Sequence, residues 1–201
     1  YRGANIDKEK EVILSPEKRK LARKISGESI VLLENNGVLP LSKDKKVAVI
    51  GPYGESRVLS GSWAINSNPK DVITLMDAVK EKVSEENFTY AKGCEMIEDK
   101  SILGGFGRAV EEEKIEVDPQ KDMDEAIEAA KKSDIVIMAL GEHPLQSGEG
   151  GSRTELSLEK IQLDLLEKVK ELGKPVVLVV FNGRPLVSVS YTHLTLPTTP
   201  Y

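Results

Sequence analysis

The sequence predicts an α/β fold: a mainly parallel sheet flanked by helices, in the form of an incomplete α/β sandwich. Three observations predict it. Short apolar runs recur at 46–50 (KVAVI), 135–140 (IVIMAL) and 175–181 (PVVLVVF), the right length for strands. Capped stretches of helical periodicity lie between them. Strand and helix alternating at this spacing imply parallel neighbours joined by right-handed crossovers, with helices over both faces. A chain of 201 residues suits one domain, or one domain plus a remnant, and can bury a single sizeable core.

The elements follow in order. Ser15 before Pro16 and Glu17 is a helix start, with Ser as N-cap and Pro in the first turn; Leu21, Ile25 and Leu32 then recur near helical spacing, and Gly37 is the expected stop. Lys46 through Ile50 is a short strand ended by Gly51 and Pro52. Thr74 with Asp77 three residues on is a capping-box pattern that opens a helix toward Val83. Phe88 through Ala91 is a further strand candidate, and Ser101 through Asp118, without clear periodicity, reads as a loop with turns.

Asp122 and Glu125 open the next helix, in which Ala126, Ala129 and Ala130 permit close packing. Ile135 through Leu140 then reads as a strand buried on both faces. Ser157 is the expected N-cap of a helix that places Leu158, Ile161, Leu165, Val169 and Leu172 on one face and ends at Gly173. Pro175 through Phe181 is the last strand, and Asn182 through Pro185 a tight turn beyond it.

Composition excludes several classes of function. A net charge of -5, with Lys and Glu scattered as on solvated helix faces, argues against a nucleic-acid partner. The single cysteine, Cys94, cannot close an intramolecular disulfide and reads as a small residue near a strand end. No spacing of His and Cys suggests a metal, no cofactor is implied, and no apolar run has the length of a membrane span. Gly51, Pro52 and Gly54 suggest a phosphate-cradling loop, yet neither GxGxxG nor GxxxxGK[ST] is present.

The most informative stretch runs from Gly141 to Leu186. A glycine-rich loop carrying Glu149 leaves the carboxyl end of the 135–140 strand, where open α/β sheets place their ligand chemistry. Taken alone, Glu149 is one exposed carboxylate in a flexible loop. The surrounding pattern, with Ser147, Gly148, Glu149, Ser152, Arg153, Leu156, Leu158, Gln162 and Gly173 through Leu186 in register, resembles the second domain of the family 3 glycoside hydrolases, the β-glucosidase and β-xylosidase family. Leu21 through Leu41, Val47 through Pro52 and Gly61 through Trp63 extend the likeness in the same order over nearly the whole chain.

The resemblance implies an acid/base domain that works with a (β/α)₈ barrel bearing an aspartate nucleophile. Retaining hydrolysis needs one carboxylic acid to protonate the leaving oxygen and a second carboxylate about 5 to 5.5 Å away to attack the anomeric carbon. Glu149 matches the family's acid/base position. Glu142, directly after the strand, is the competing carboxylate and reads as a hydrogen-bonding or structural anchor. Arg153 either pairs with a loop carboxylate or holds the loop closed, or is a solvated arginine near a helix start, and His143 reads as an exposed polar residue. Trp63 either lends an aromatic wall to a sugar ring or packs in a core.

On this reading residues 1–15 are a linker from a barrel not contained in the chain, and 16–188 are a partial C-terminal α/β domain with an apolar sheet edge. The chain alone is expected to be inactive, and its compartment is left open. Val189 through Thr198 (VSYTHLTLPT) resembles the translated end of a transposase sequencing adapter, so 189–201 reads as a non-native tail; the other reading is an edge strand. The alternative function is a noncatalytic α/β module that binds a sugar or a nucleotide.

Overall fold

The structure is a computed structural model and describes residues 3, 5–61, 64, 68–102 and 118–187. The chain divides into two compact units, Tyr1–Gly37 and Val38–Tyr201. Trp63, most of the 101–118 loop and the tail from Val189 lie outside the described residues.

The first unit contains α1 (Ile6–Val12) and α2 (Pro16–Ser29). Asn5 caps α1 by accepting the Lys8 N–H at 2.9 Å, so the stretch expected as a plain linker contains a helix. Ser15 and Pro16 start α2 as the sequence predicts, but the helix ends at Ser29, well short of Gly37. The reason is local: β-branched Ile30 and Val31 follow Gly27 and Ser29, all weak helix formers, and α2 has no buried residue to offset them.

The second unit is built on four parallel strands, β1 (Val47–Ile50), β2 (Phe88–Ala91), β3 (Ile135–Gly141) and β4 (Val176–Phe181), in the order β2-β1-β3-β4. Each matches an apolar run of the sequence to within a residue. Between them lie α3 (Leu75–Lys80), α4 (Pro119–Lys132) and α5 (Lys160–Lys170). Ala48, Ile50, Val136, Met138 and Leu140 form one core with residues of α4 and α5. Val47, Val49, Ile137 and Ala139 form a second, against Leu75 and Val79 of α3. The period-2 alternation thus serves two cores, which is why β3 is buried along its entire length.

The crossover from β1 to β2 runs in one direction along the sheet, and the crossover from β2 passes β1 to reach β3 in the other. With handedness fixed, reversing direction sends the helices to opposite faces, as α3 and α4 are. The reversal makes the carboxyl ends of β1 and β3 the topological switch point of the sheet.

Three helix boundaries show what local sequence decides. The Thr74 and Asp77 capping box forms with both of its hydrogen bonds, at 3.0 and 3.2 Å. The fourth helix begins one turn before Asp122, because Asp118 accepts the N–H groups of Gln120 and Lys121 and Pro119 occupies the first turn. Ser157 is not the N-cap of α5, which starts at Lys160. Leu158 is drawn into the core and the Ser157 carbonyl accepts from Arg153 at 3.2 Å, so the chain is committed elsewhere before the helix opens.

Cys94 is buried, as expected of a packing residue. Burial, and then the charge of Glu95, push its thiol up to about 12, so it remains protonated near pH 8. Alkylation of the folded chain at about pH 8 should therefore be on the order of 10²-fold or more slower than that of the denatured chain. Equal labelling rates, followed by mass spectrometry, would contradict the placement of Cys94 in the core.

Candidate functional site

The loop from Glu142 to Glu159 leaves the carboxyl end of β3 at the switch point. Its root is tightly fixed. Gly141 has no room for a side chain, since a Cβ there would fall 2.2 Å from the Phe181 carbonyl oxygen and 2.7 Å from the Tyr53 ring. This lets Tyr53, stacked on Phe181 with ring centroids 4.6 Å apart, donate its hydroxyl to the Glu142 carbonyl. Burial, and then the Glu142 charge, raise the Tyr53 phenol far above its ordinary range and keep it a donor.

Gln162 of α5 completes the root. Fully buried, it accepts the Gly141 N–H at 2.9 Å and donates to the Gly141 and Met96 carbonyls at 2.8 and 2.6 Å. One side-chain amide thus satisfies the last residue of β3 where the ladder stops. The sequence contains Gln162 as one letter of a pattern; the clamp depends on the packing of α5 and is visible only in three dimensions.

Glu142 is the buried centre of an ionic cluster. Its side chain has no exposure, and Oε1 lies 3.1 Å from Arg184 Nε and 3.5 Å from Arg153 Nη1. Neither carboxylate oxygen has a hydrogen bond of good geometry, so the cluster is held by charge. Arg153 also reaches Glu159 Oε1 at 3.2 Å, and Gln146 Nε2 donates to that same oxygen at 2.7 Å. Two arginines and two glutamates therefore compensate one another around Glu142, whose buried charge requires such partners.

Arg153 and Glu142, named separately from the sequence, are brought together here. Arg184, read there only as part of a turn, is the addition. Its Nη2 donates to the carbonyls of Gln146 and Gly151.

Glu149 lies apart from this cluster. It is exposed, between Gly148 and Gly150, whose φ values of +91° and +79° place both in the left-handed region. His143 is half-buried and accepts the Leu145 N–H at 3.2 Å, shaping the turn at Pro144–Gln146. It also borders a cleft of about 270 Å³ at the carboxyl ends of β1, β2 and β3, with Pro52, Arg57, Lys92 and Met96. Arg57 is itself tied to the Val72 carbonyl at 2.6 Å and to Asp77 at 3.1 Å.

The glycines after β1 serve packing. A Cβ at Gly51 would fall 2.3 Å from the Ala139 carbonyl oxygen, and one at Gly54 would fall 2.5 Å from the Tyr90 ring. Among the described residues no group of His, Cys, Asp and Glu could hold a metal ion, and no helix is long and apolar enough to cross a membrane.

Comparison with known proteins adds the context. The model of the glycosyl hydrolase family 3 C-terminal domain matches residues 30–195. The periplasmic beta-glucosidase of Salmonella typhimurium is 38% identical over 177 residues, which cover 85% of this chain and 23% of that protein. A beta-xylosidase of Formosa agariphila is 36% identical over 201 residues, covering 96% and 25%. The crystal structure of a beta-glucosidase from Listeria innocua in complex with glucose superposes with a TM-score of 0.75 at 32% identity, over 91% of this chain and 22% of that one. The chain therefore spans about a quarter of the length of these relatives.

Proposed function

The chain belongs to glycoside hydrolase family 3, as its C-terminal domain, and from that premise we propose that it is the acid/base-bearing domain of a retaining, exo-acting β-glycosidase acting on terminal β-glucosides. A (β/α)₈ barrel of the same enzyme supplies the nucleophile and most of the sugar contacts. Glu149 protonates the departing glycosidic oxygen, then as carboxylate activates the water that releases the sugar.

The observation that carries this reading is the contrast between Glu142 and Glu149, the two carboxylates of the loop that the sequence pattern singles out. Glu142 is sealed between two arginines and has no exposed side-chain surface, so it cannot meet a sugar held by another domain. Glu149 is exposed at the tip of the same loop, on the carboxyl side of a parallel sheet at its switch point. An acid that serves a site shared between domains needs that exposure.

The test is a Glu149→Ala variant of the complete enzyme, assayed on β-glucosides with good and poor leaving groups. Its loss of rate should grow as the leaving group worsens; an equal loss throughout would overturn the assignment. The chain by itself should turn over no aryl β-glucoside, since the nucleophile lies elsewhere, and measurable hydrolysis by the purified chain would count against the division of labour.

A further inference from the structure

Building on the acid/base reading of Glu149, we infer that Arg184 is a positioning residue for it, a guanidinium that ties together the two stems of the Glu149 loop. Arg184 lies in the turn that follows β4, and β4 pairs with β3, so its side chain reaches back to the loop that follows β3. Its Nη2 donates to two carbonyls at once, those of Gln146 and Gly151. These residues bracket the segment Ser147 to Gly150, so one side chain closes the base of the loop that presents Glu149.

The turn is fitted to the task. A Cβ at Gly183 would fall 2.2 Å from Ser147 Oγ, so only glycine lets the turn lie directly against the stem. Glu142 aims the guanidinium: its Oε1 is 3.1 Å from Arg184 Nε, while Arg153 holds the same oxygen from another side at 3.5 Å. The side chain thus faces a carboxylate through Nε and two carbonyls through Nη2. A lysine could match the charge but would place only a single point donor among three acceptors.

The consequence for catalysis follows from the loop's own composition. Left-handed glycines on both sides of Glu149 give the tip little intrinsic stiffness. General acid catalysis requires the carboxyl group to come within about 2.6 to 3.2 Å of the departing oxygen. A misplacement of about 1 Å costs on the order of 10²-fold in rate. Tying the stems together narrows the positions Glu149 can take without placing a charged partner against its carboxyl group.

The experiment compares Arg184→Lys, Arg184→Ala and Glu149→Ala in the complete enzyme. Rates are measured on an alkyl β-glucoside and on a dinitrophenyl β-glucoside, and amide exchange is followed across residues 146–151. Measured as kcat/KM, which reports formation of the glycosyl-enzyme, Arg184→Lys should lose on the order of 10²-fold on the alkyl substrate but less than about 10-fold on the activated one. Exchange should quicken in the loop and stay unchanged in β1 and β3.

An equal loss on both substrates, or unchanged rates with unchanged loop exchange, would overturn the role. Arg184→Ala should show the same pattern more strongly; if removing the charge opposite the buried Glu142 prevents folding, the Lys variant, which keeps it, decides. Failure of the underlying reading is distinguishable, because Glu149→Ala itself would then show no dependence on the leaving group, whatever loop exchange reports for Arg184→Lys.

Discussion

Replacing Gln162 by Leu should lower the stability of the α/β unit by about 3 kcal/mol or more, although the two side chains have similar volume. The loss follows from what the amide satisfies. It accepts the Gly141 N–H and donates to the Gly141 carbonyl, both at the end of a buried strand, and it donates to the part-buried Met96 carbonyl. Each buried backbone group left without a partner costs about 1 to 3 kcal/mol, and Leu would orphan two of them at Gly141 besides the part-buried Met96 carbonyl. Gln162→Glu is the harsher companion, since it sets a carboxylate against those carbonyls in a buried site. The check is a denaturation curve with unchanged m-value and a lower midpoint. A loss below about 1 kcal/mol would mean that water or a local shift replaces the clamp.

The same residue shows where sequence reading stops. The strands were legible because β1, β3 and β4 are apolar runs bounded by polar or glycine residues, and the capping box at Thr74 was legible because both partners lie within four residues. Strand order was not, since β2-β1-β3-β4 rests on pairings between distant segments. Two helix starts differ from those the sequence suggests. Asp118 and Pro119 carried the start of α4, while Ser157 was engaged by Arg153 and could not cap α5. The early end of α2 at Ser29 reflects the weak helix formers Gly27, Ser29, Ile30 and Val31 in a helix with no buried residue to offset them.

The site divides in the same way. Glu149 and Arg153 stand in a recognisable pattern, and Glu142 could be named because it directly follows a strand. That Glu142 and Arg153 form one ionic cluster with Arg184 depends on β3 and β4 being neighbours, which no spacing along the chain records. Arg184 therefore read as part of a turn. Trp63 lies outside the described residues, and its two readings stand as they did.

Removal of the Glu149 carboxyl should produce the largest effect on activity. General acid/base catalysis contributes about 10²- to 10⁴-fold, and that range is the expected loss for Glu149→Ala on substrates with poor leaving groups. The departing oxygen of an alkyl glycoside must be protonated in the transition state. A dinitrophenolate departs unaided, so the glycosyl-enzyme still forms on the barrel nucleophile. Its breakdown is then slow, because no carboxylate remains to activate water. Azide needs no general base and should restore turnover of activated substrates in the variant but not in the unaltered enzyme. Glu142→Ala should instead act through stability, because it removes the buried carboxylate that the part-buried Arg184 and Arg153 both face.

The most direct measurement is therefore the identity and anomeric configuration of the product that Glu149→Ala forms from a dinitrophenyl β-glucoside in azide. A β-glucosyl azide, formed at a rate that rises with azide concentration, is the predicted result for a retaining enzyme that has lost only its acid/base. Absence of that product, or its appearance with Glu142→Ala instead, would remove Glu149 from the role.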